Sequence, residues 1–297
     1  MVVGSDITAS NYAGMIGNIR AGVGASEGLD FLLGTERVVK WLEENPTKKT
    51  KKPLSPNSIK TYLVAIKSTL RDTNDDKYAE VMKVYDAKML EYKKRLDAHE
   101  EKQELTDAER KKWVCWSCVL ETRDRLKDSE DWKLYQDYIV LCLYTMMPPE
   151  RLDYSPMRVV SDLPTDTTGN YCVLGEMKAT FVLNAYKTAK SKGQAIYDAP
   201  PELFTILKRW KAMNTSEWLL VKKSAPTEPL TSHELGQCIP RIFERLEQPP
   251  ATLNILRHSF ITHMREGEMP LLEKKRLAER MGHSLTQAEK YLRIAGQ

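Results

Sequence analysis

The chain has 297 residues, of which 41% are hydrophobic and 29% charged, a composition typical of soluble globular proteins with one large domain or two of ordinary size. Its longest largely apolar stretch, residues 139–147, is too short to cross a bilayer, and its N-terminus lacks the basic head and apolar run of a secretion signal. The net charge of +4, from 45 basic and 41 acidic residues, permits a nucleic-acid partner but is too small to indicate one.

The N-terminal part of the chain is predicted to be helical after a loose beginning. Residues 1–28 are rich in Gly, Ser and Ala, and we expect them to form a flexible lead-in. Residues 31–44 and 54–73 both show helical patterns. In the second of these, Ser55 is expected to be the N-cap and Pro56 the first helical residue. Its apolar residues recur at helical spacing and share one face, namely Ile59, Leu63, Ile66 and Leu70.

Basic residues concentrate beside and on this second helix. The stretch 47–52 contains Lys48, Lys49, Lys51 and Lys52, and another face of the helix carries Lys60, Lys67 and Arg71. A basic stripe on one helix is usually a solvated surface. Because this stripe adjoins a second basic stretch, we interpret the two together as a surface that contacts DNA phosphates.

A highly charged segment separates two predicted domains. Residues 78–104 are expected to form a long exposed helix followed by a linker, and Thr106 with Glu109 forms a capping box that begins the next part. We therefore predict an all-helical DNA-binding domain over residues 29–102 and a second domain over residues 103–297. The second domain is predicted to be mixed α/β, mostly helical, with a small three-stranded sheet from the runs at 171–175, 179–188 and 194–200.

Cys115 and Cys118 form a C-x-x-C pair whose role is open to three interpretations. A redox motif of the thioredoxin type follows a strand, and a zinc site needs four ligands at short spacing; the sequence provides neither. The pair lies in a predicted helix, so we interpret it as two core cysteines, with a redox or zinc protein as the distant alternatives. Five cysteines, an odd number, fit a reducing compartment, and we expect an intracellular protein.

The candidate chemistry of the second domain comes from isolated side chains in a particular order. Arg151 follows an apolar helix and two prolines, Lys187 lies at a turn after the second strand, and Arg257 lies within an apolar helical pattern. Each of them alone has an ordinary structural explanation. His283 and Tyr291 follow, and the five residues in this order form a recognisable set.

This set resembles the catalytic residues of the tyrosine recombinases, the phage-integrase-like family of DNA breaking and rejoining enzymes. NILRHSFITHM is similar to the family's H-x-L-R-H box, LAERMGHS is similar to its L-x-x-x-x-G-H box, and Tyr291 stands where the nucleophile belongs. PPERLDY is similar to the first-arginine box in a form associated with large DNA viruses and eukaryotic mobile elements. LSPNSIKTYLVAIKS resembles the core-binding domain, so the similarity covers residues 29–297.

The resemblance implies a reaction that needs no metal and no other cofactor. Arg151 and Arg257 would clamp the phosphate oxygens with N–H donors that stay charged, and His283 would donate to the same phosphate. Lys187 would protonate the departing 5′-oxygen as general acid, and Tyr291 would carry the DNA 3′-phosphate covalently. The implied function is site-specific recombination of integrase or transposase type on double-stranded DNA, by a homo-tetramer assembled on that DNA, with no membrane partner.

Two further functions remain open from the sequence. A type IB topoisomerase would use the same chemistry without exchanging strands. The second alternative is a sequence-specific DNA-binding protein that has lost catalysis. Asn254 is the feature that would support this alternative, because it occupies the position where the family's box begins with His. Asn254 belongs to the implied catalytic set, but an Asn side chain cannot exchange a proton. If the source is viral or eukaryotic, the resemblance implies a nuclear location.

Overall fold

The chain folds as two units, residues 1–102 and 103–297, each around its own hydrophobic core. The computed structural model describes residues 6–44, 52–166, 168–265, 269–282 and 284–293. Four of the candidate site residues lie outside the described residues, namely Lys48, Lys49, Lys51 and His283.

The described part of the first unit is built from helices. These are α1 (Asp6–Gly22), α2 (Thr35–Glu44), α3 (Pro56–Thr73) and α4 (Ala79–Glu101), with 3₁₀ turns at Asp30–Leu33 and Asp76–Tyr78. The prediction of a flexible lead-in over residues 1–28 is wrong, because most of that stretch is helix α1. Ile16 and Ile19 of this helix are 4% and 0% exposed, so its apolar side is part of the core.

Helix α3 forms as its sequence predicts. The Ser58 N–H donates to Ser55 Oγ at 3.1 Å, so Ser55 satisfies one of the orphan donors at the helix N-terminus, and Pro56 follows as the first helical residue. The predicted apolar face is confirmed, since all four of its residues are buried, namely Ile59, Leu63, Ile66 and Leu70.

Helix α4 belongs to the core of the first unit and is not the exposed connector expected from its charge. Three tyrosines seven residues apart share one side of it, because seven residues are close to two helical turns. Tyr78, at the start of α4, and Tyr85 and Tyr92 within it are each at most 3% exposed. Their hydroxyls donate to Asp30, to the Leu32 carbonyl and to Glu43 at 2.8, 2.7 and 2.6 Å.

The second unit combines helices with two small sheets, and its predicted class of mostly helical α/β is confirmed. Its helices are α5 (Asp107–Arg110), α6 (Trp116–Asp124), α7 (Trp132–Thr145), α8 (Ala189–Lys192), α9 (Pro201–Met213), α10 (Ser232–Arg245), α11 (Leu253–Arg265), α12 (Leu271–Arg280) and α13 (Leu285–Glu289). The strands are β1 (Met157–Val160), β2 (Asn170–Leu174), β3 (Ala179–Leu183), β4 (Ala195–Asp198), β5 (Val221–Lys222) and β6 (Ala225–Pro229).

The larger sheet has the order β1-β2-β3-β4. Strands β2, β3 and β4 correspond to the three predicted runs and pair antiparallel. The sequence did not anticipate β1, which adds to them in parallel through pairs such as Met157 with Asn170. Its four residues are too few to show a period of two.

Helix α7 lies in the middle of the second unit. Ten consecutive residues, 135–144, are buried, as expected for a helix that is apolar on nearly all sides. The exceptions are Gln136, which bonds to the backbone of Val221, and Asp137, which is fully buried and forms ion pairs with Lys223, at 2.6 Å, and with Arg245. A buried carboxylate persists only with such partners.

The C-x-x-C pair does not lie in the core, contrary to the sequence interpretation. Cys115 is exposed and is the N-cap of α6, whereas Cys118 is half-buried in the first turn of that helix. A disulfide bond joins the two sulfurs. The helix therefore begins one residue after Cys115, and the pair belongs to its N-terminus.

Candidate active site

Arg257 is a buried arginine on α11, only 3% exposed. Its Nη1 donates to the Pro149 carbonyl at 2.9 Å and its Nη2 donates to the Met281 carbonyl at 3.0 Å. These two bonds connect α11 with the segment after α7 and with the end of α12. The guanidinium is thus held in one orientation before any ligand arrives.

Tyr291 follows α13 and lies against Arg257. Its N–H donates to the Ala288 carbonyl at 3.0 Å, and the guanidinium carbon of Arg257 is 5.3 Å from the centre of its ring. Burial lowers the pKa of Arg257, while its electrostatic interaction and its hydrogen bond with Tyr291 oppose this shift. The structure therefore brings together two residues that are 34 positions apart in the sequence and that the resemblance assigns to one site.

His258 anchors the backbone of Tyr291, a role that the sequence analysis did not assign to it. The two rings pack at 4.7 Å between centroids with their planes tilted by 32°, and His258 Nδ1–H donates to the Tyr291 carbonyl at 2.6 Å. Burial lowers the pKa of His258 to about 4, and the nearby charge of Arg293 adds to this effect. His258 is therefore neutral at pH 7, with its proton on Nδ1 and an acceptor at Nε2.

Arg293 and Glu109 complete this anchor. Arg293 Nη2 lies 3.5 Å from His258 Nε2 and donates to Glu109 Oε1 at 3.2 Å. Burial raises the pKa of Glu109, but bonds from the Thr106 backbone and from Arg293 outweigh it, so the pKa lies below its ordinary value. Thr106 and Glu109 form the predicted capping box, which is confirmed. The start of the second unit thus holds the segment that carries Tyr291.

Arg151 lies at a cleft of about 440 Å³, between the segment after α7, the connection from β3 to β4, and the end of α12. Gly282 borders the same cleft with a φ of +70°, a backbone conformation that favours glycine. A Cβ at Gly282 would lie 3.0 Å from Arg151 Nη1. The backbone angle of the Gly-His pair therefore favours glycine, and a Cβ there would also press on the end of the Arg151 side chain.

Two carboxyl groups adjoin these arginines. Glu150 is 6% exposed, and burial raises its pKa to about 7 although Tyr197 donates a hydrogen bond to it. Burial also raises the pKa of Asp153, against the opposing charges of Arg151 and Arg257. The negative charge beside the two arginines is thus reduced, because Glu150 is half-protonated near neutral pH.

Asn170 joins the Arg151 segment to the connection between β3 and β4. Its amide nitrogen donates to the carbonyls of Asp153 and Ala185 at 2.9 and 3.0 Å. Its amide oxygen accepts from the N–H groups of Asn184 and Ala185 at 2.9 and 2.8 Å. The side chain is 7% exposed and makes all four of these bonds, so it fixes the start of that connection relative to Arg151.

Lys187 lies on this connection, but its side chain is exposed and is not part of the cleft lining. The lysine that lines the cleft is Lys192, five residues further along in α8. Tyr186 also lines the cleft, and its hydroxyl donates to the Gly193 carbonyl at 2.8 Å. The structure therefore offers two lysines for the position that the sequence assigned to one.

The other candidate residues are more dispersed. Asn254 is exposed on α11, one turn before Arg257, and does not line the cleft. On the first unit, Lys60 is half-buried, and Lys67 forms an ion pair with Asp86 of α4, so part of its charge is already compensated. Lys52 and Arg71 are exposed.

Two features are absent from the described residues. None of their His, Cys, Asp and Glu side chains form a group of three or more that could hold a metal ion. None of the helices in the described ranges is both long and apolar enough to cross a membrane.

Comparisons with known proteins show only a distant similarity in structure. No protein-family model and no curated protein matches the chain. It is similar to the crystal structure of the XerA recombinase, with 14% identity, a TM-score of 0.42, and coverage of 98% of this chain and 88% of that chain. It is also similar to the integrase of the Tn1549 transposon in complex with a circular-intermediate DNA, with 14% identity, a TM-score of 0.41, and coverage of 97% and 96%. The same integrase with transposon right-end DNA shows 15% identity, a TM-score of 0.41, and coverage of 97% and 95%. At this distance a likeness of shape assigns no activity to the chain.

Proposed function

We propose that the chain is a site-specific DNA recombinase of integrase or transposase type, which cleaves and rejoins double-stranded DNA through a covalent 3′-phosphotyrosine at Tyr291. The observation that carries this proposal is the position of the Tyr291 ring against the buried guanidinium of Arg257, beside the cleft that Arg151 lines. A phenol, two arginines and a cleft open to a ligand are the minimum that attack on a phosphodiester requires.

The two arginines supply the charge that this reaction needs. Attack by the phenol oxygen places additional negative charge on the non-bridging phosphate oxygens in the transition state. Arg257 is already oriented by two backbone carbonyls, so it stabilises this charge without a cost of reorganisation. Its contact with the Tyr291 hydroxyl also stabilises the phenolate that forms during the attack.

The departing 5′-oxygen needs a proton, and a lysine of the β3–β4 connection would supply it. Lys187 is the residue that the sequence resemblance indicates, and Lys192 is the residue that lines the cleft. His283 remains the proposed second donor to the phosphate. Because the acid acts in the transition state, removing it affects cleavage more than binding.

Double-stranded DNA is the proposed partner, and a homo-tetramer assembled on it is the proposed active form. The exposed side chains of Lys52 and Arg71 and the half-buried Lys60 are proposed to contact phosphates, together with Lys48, Lys49 and Lys51. Transposition or integration of a mobile element is the biological setting that this reaction fits.

Covalent trapping tests the proposal. The full chain is incubated with a pool of nicked duplexes, denatured, and examined for a protein band shifted by DNA. We expect Tyr291→Phe to abolish the band. The matched control is Tyr186→Phe, which removes a hydroxyl from the cleft and is expected to retain the band.

The outcomes separate the alternatives. A band that persists in Tyr291→Phe refutes the assignment of the nucleophile. Sequence-specific binding without any band indicates an inactive DNA-binding protein. A band together with relaxation of supercoiled DNA, but without exchange of strands between sites, indicates a type IB topoisomerase.

A further inference from the structure

The C-x-x-C pair takes no part in the proposed reaction and has the features of a separate chemical site. Cys115 is exposed, Cys118 is half-buried, and the two are joined by a disulfide with their Cα atoms 5.2 Å apart. This separation lies inside the range of roughly 4.4–6.8 Å found in disulfides. The backbone at the start of α6 is therefore suited to forming the bond without rearrangement.

The surroundings of Cys115 favour its thiolate form once the bond is open. The Cys118 N–H donates to Cys115 Sγ at 3.3 Å, and the Ser117 hydroxyl lies 3.2 Å from the same sulfur. The positive end of the α6 dipole acts in the same direction. Cys115 is therefore both the accessible sulfur and the nucleophile of the pair.

The other three cysteines have the opposite character. Burial raises the pKa of Cys142 and of Cys172 to about 12 each, and that of Cys238 to about 11. Such thiols are protonated at neutral pH and react slowly. Reactivity is thus concentrated at one site, and Cys238, which is half-buried, serves as a control cysteine.

Side-chain packing connects the cysteine pair to α11, the helix that carries Arg257. Trp116 lies between the two cysteines in the sequence and is 7% exposed. Its ring lies 4.9 Å from that of Phe260 on α11, three residues after Arg257. A change in the first turn of α6 therefore changes the surface against which α11 packs.

We propose that Cys115 and Cys118 form a reversible dithiol–disulfide couple that exchanges with small-molecule disulfides and thiols and thereby sets the packing of α6 on α11. In oxidation, the Cys115 thiolate attacks a small disulfide, RSSR, forms a mixed disulfide and releases one RS⁻. The Cys118 thiolate then attacks the Cys115 sulfur, closes the intramolecular bond and releases the second RS⁻. The protons lost by the two cysteine thiols convert both leaving groups to RSH, and reduction by thiols reverses each step.

Thiol counting in glutathione redox buffers tests the chemical part. The full chain is equilibrated at several ratios of oxidised to reduced glutathione, alkylated and weighed by mass spectrometry. We expect two thiols to disappear together, without added glutathione mass, in the wild type and in Cys238→Ser. In Cys115→Ser no such pair should form. Two thiols that stay free at every ratio, or a stable glutathione adduct in place of the internal bond, would overturn the proposal.

Thermal unfolding followed by tryptophan fluorescence tests the coupling to α11. We expect the oxidised chain to melt roughly 2–4 °C above the reduced chain, the shift expected for a modest change in helix packing in a unit of this size. The double variant Cys115→Ser, Cys118→Ser should melt at the same temperature in both buffers. Equal melting temperatures for the oxidised and reduced wild type would overturn the coupling.

The effect on DNA cleavage rests on the proposed function and is measured separately. Covalent trapping should be slower in the reduced state by about fivefold, which corresponds to about 1 kcal/mol in barrier height, because the first turn of α6 then packs differently against α11. If no adduct forms in either state while the thiol count shows the internal bond, the proposed function fails and the redox couple stands.

Discussion

Glu150 provides a quantitative test of how the candidate site is built. This carboxyl is 6% exposed, and burial raises its pKa from an ordinary value of 4.5 to about 7. Between these two pH values the folded chain keeps a proton that the unfolded chain has released. The free energy of unfolding therefore falls as the pH rises from 4.5 to 7, and the loss is complete above pH 7. The difference between these two pKa values corresponds to about 3 kcal/mol.

Glu150→Gln removes this titration. We expect the free energy of unfolding of the variant, relative to the wild type, to increase by about 3 kcal/mol between pH 4.5 and pH 7.5. The difference between the two chains is the informative quantity, because His258 acts in the opposite direction. The pKa of His258 is lowered to about 4, so its contribution to stability is present above pH 6.5 and is lost as the pH falls toward 4.

Urea denaturation at a series of pH values measures this difference. Tryptophan fluorescence is a suitable signal, because every tryptophan except Trp41 lies in the second unit. Glu279→Gln is the matched control, since it removes a carboxyl from the exposed rim of the same cleft. A difference between Glu150→Gln and wild type that stays constant across the pH range would show that Glu150 is not held in a desolvating environment, and would refute the reasoning.

Three further predictions concern the candidate site. Arg257→Ala should slow formation of the covalent adduct by about 100-fold or more, with little loss of DNA affinity in a binding assay; undiminished cleavage would remove Arg257 from the site. Lys187→Ala should cleave normal DNA slowly, but it should cleave a substrate with a 5′-bridging sulfur, which leaves without a proton, at close to the wild-type rate. The same rescue in Lys192→Ala would assign the role of general acid to Lys192. Asn170→Asp should lower the free energy of unfolding by roughly 3 kcal/mol and also slow cleavage, because two buried carbonyls lose their donors. Asn214→Asp, which removes a similar donor away from the cleft, is the control for stability alone. Equal cleavage rates in the two variants would contradict the positioning role of Asn170.

Several features of the fold could be predicted because their causes are local. The N-cap of α3 and the capping box at Thr106 depend on side chains and N–H groups three residues apart. The buried face of α3 follows from helical periodicity, and β2, β3 and β4 from short apolar runs between turn residues. In each case the determining residues are neighbours in the chain.

The candidate site was predictable only in part. The residue types and order at Arg151, Arg257 and Tyr291 are visible in the sequence through a resemblance. Their proximity in space is not visible in the sequence, because Arg257 is positioned by carbonyls 108 and 24 residues away. The packing of the His258 ring against Tyr291 has one indication in the sequence, a histidine directly after the proposed catalytic arginine. Nothing local in the sequence shows which ring this histidine contacts.

The sequence by itself determined the class of fold, the caps, most of the larger sheet and a list of chemically competent residues. The tertiary structure alone decided which of those residues are buried, charged or accessible. It placed α1 and α4 in the core of the first unit and Cys115 at the surface, and it put Lys192, in place of Lys187, on the cleft lining. It also desolvated Glu150. The physical reason is that burial and electrostatic environment are set by elements distant in the chain, whereas caps and periodicity are set within a few residues.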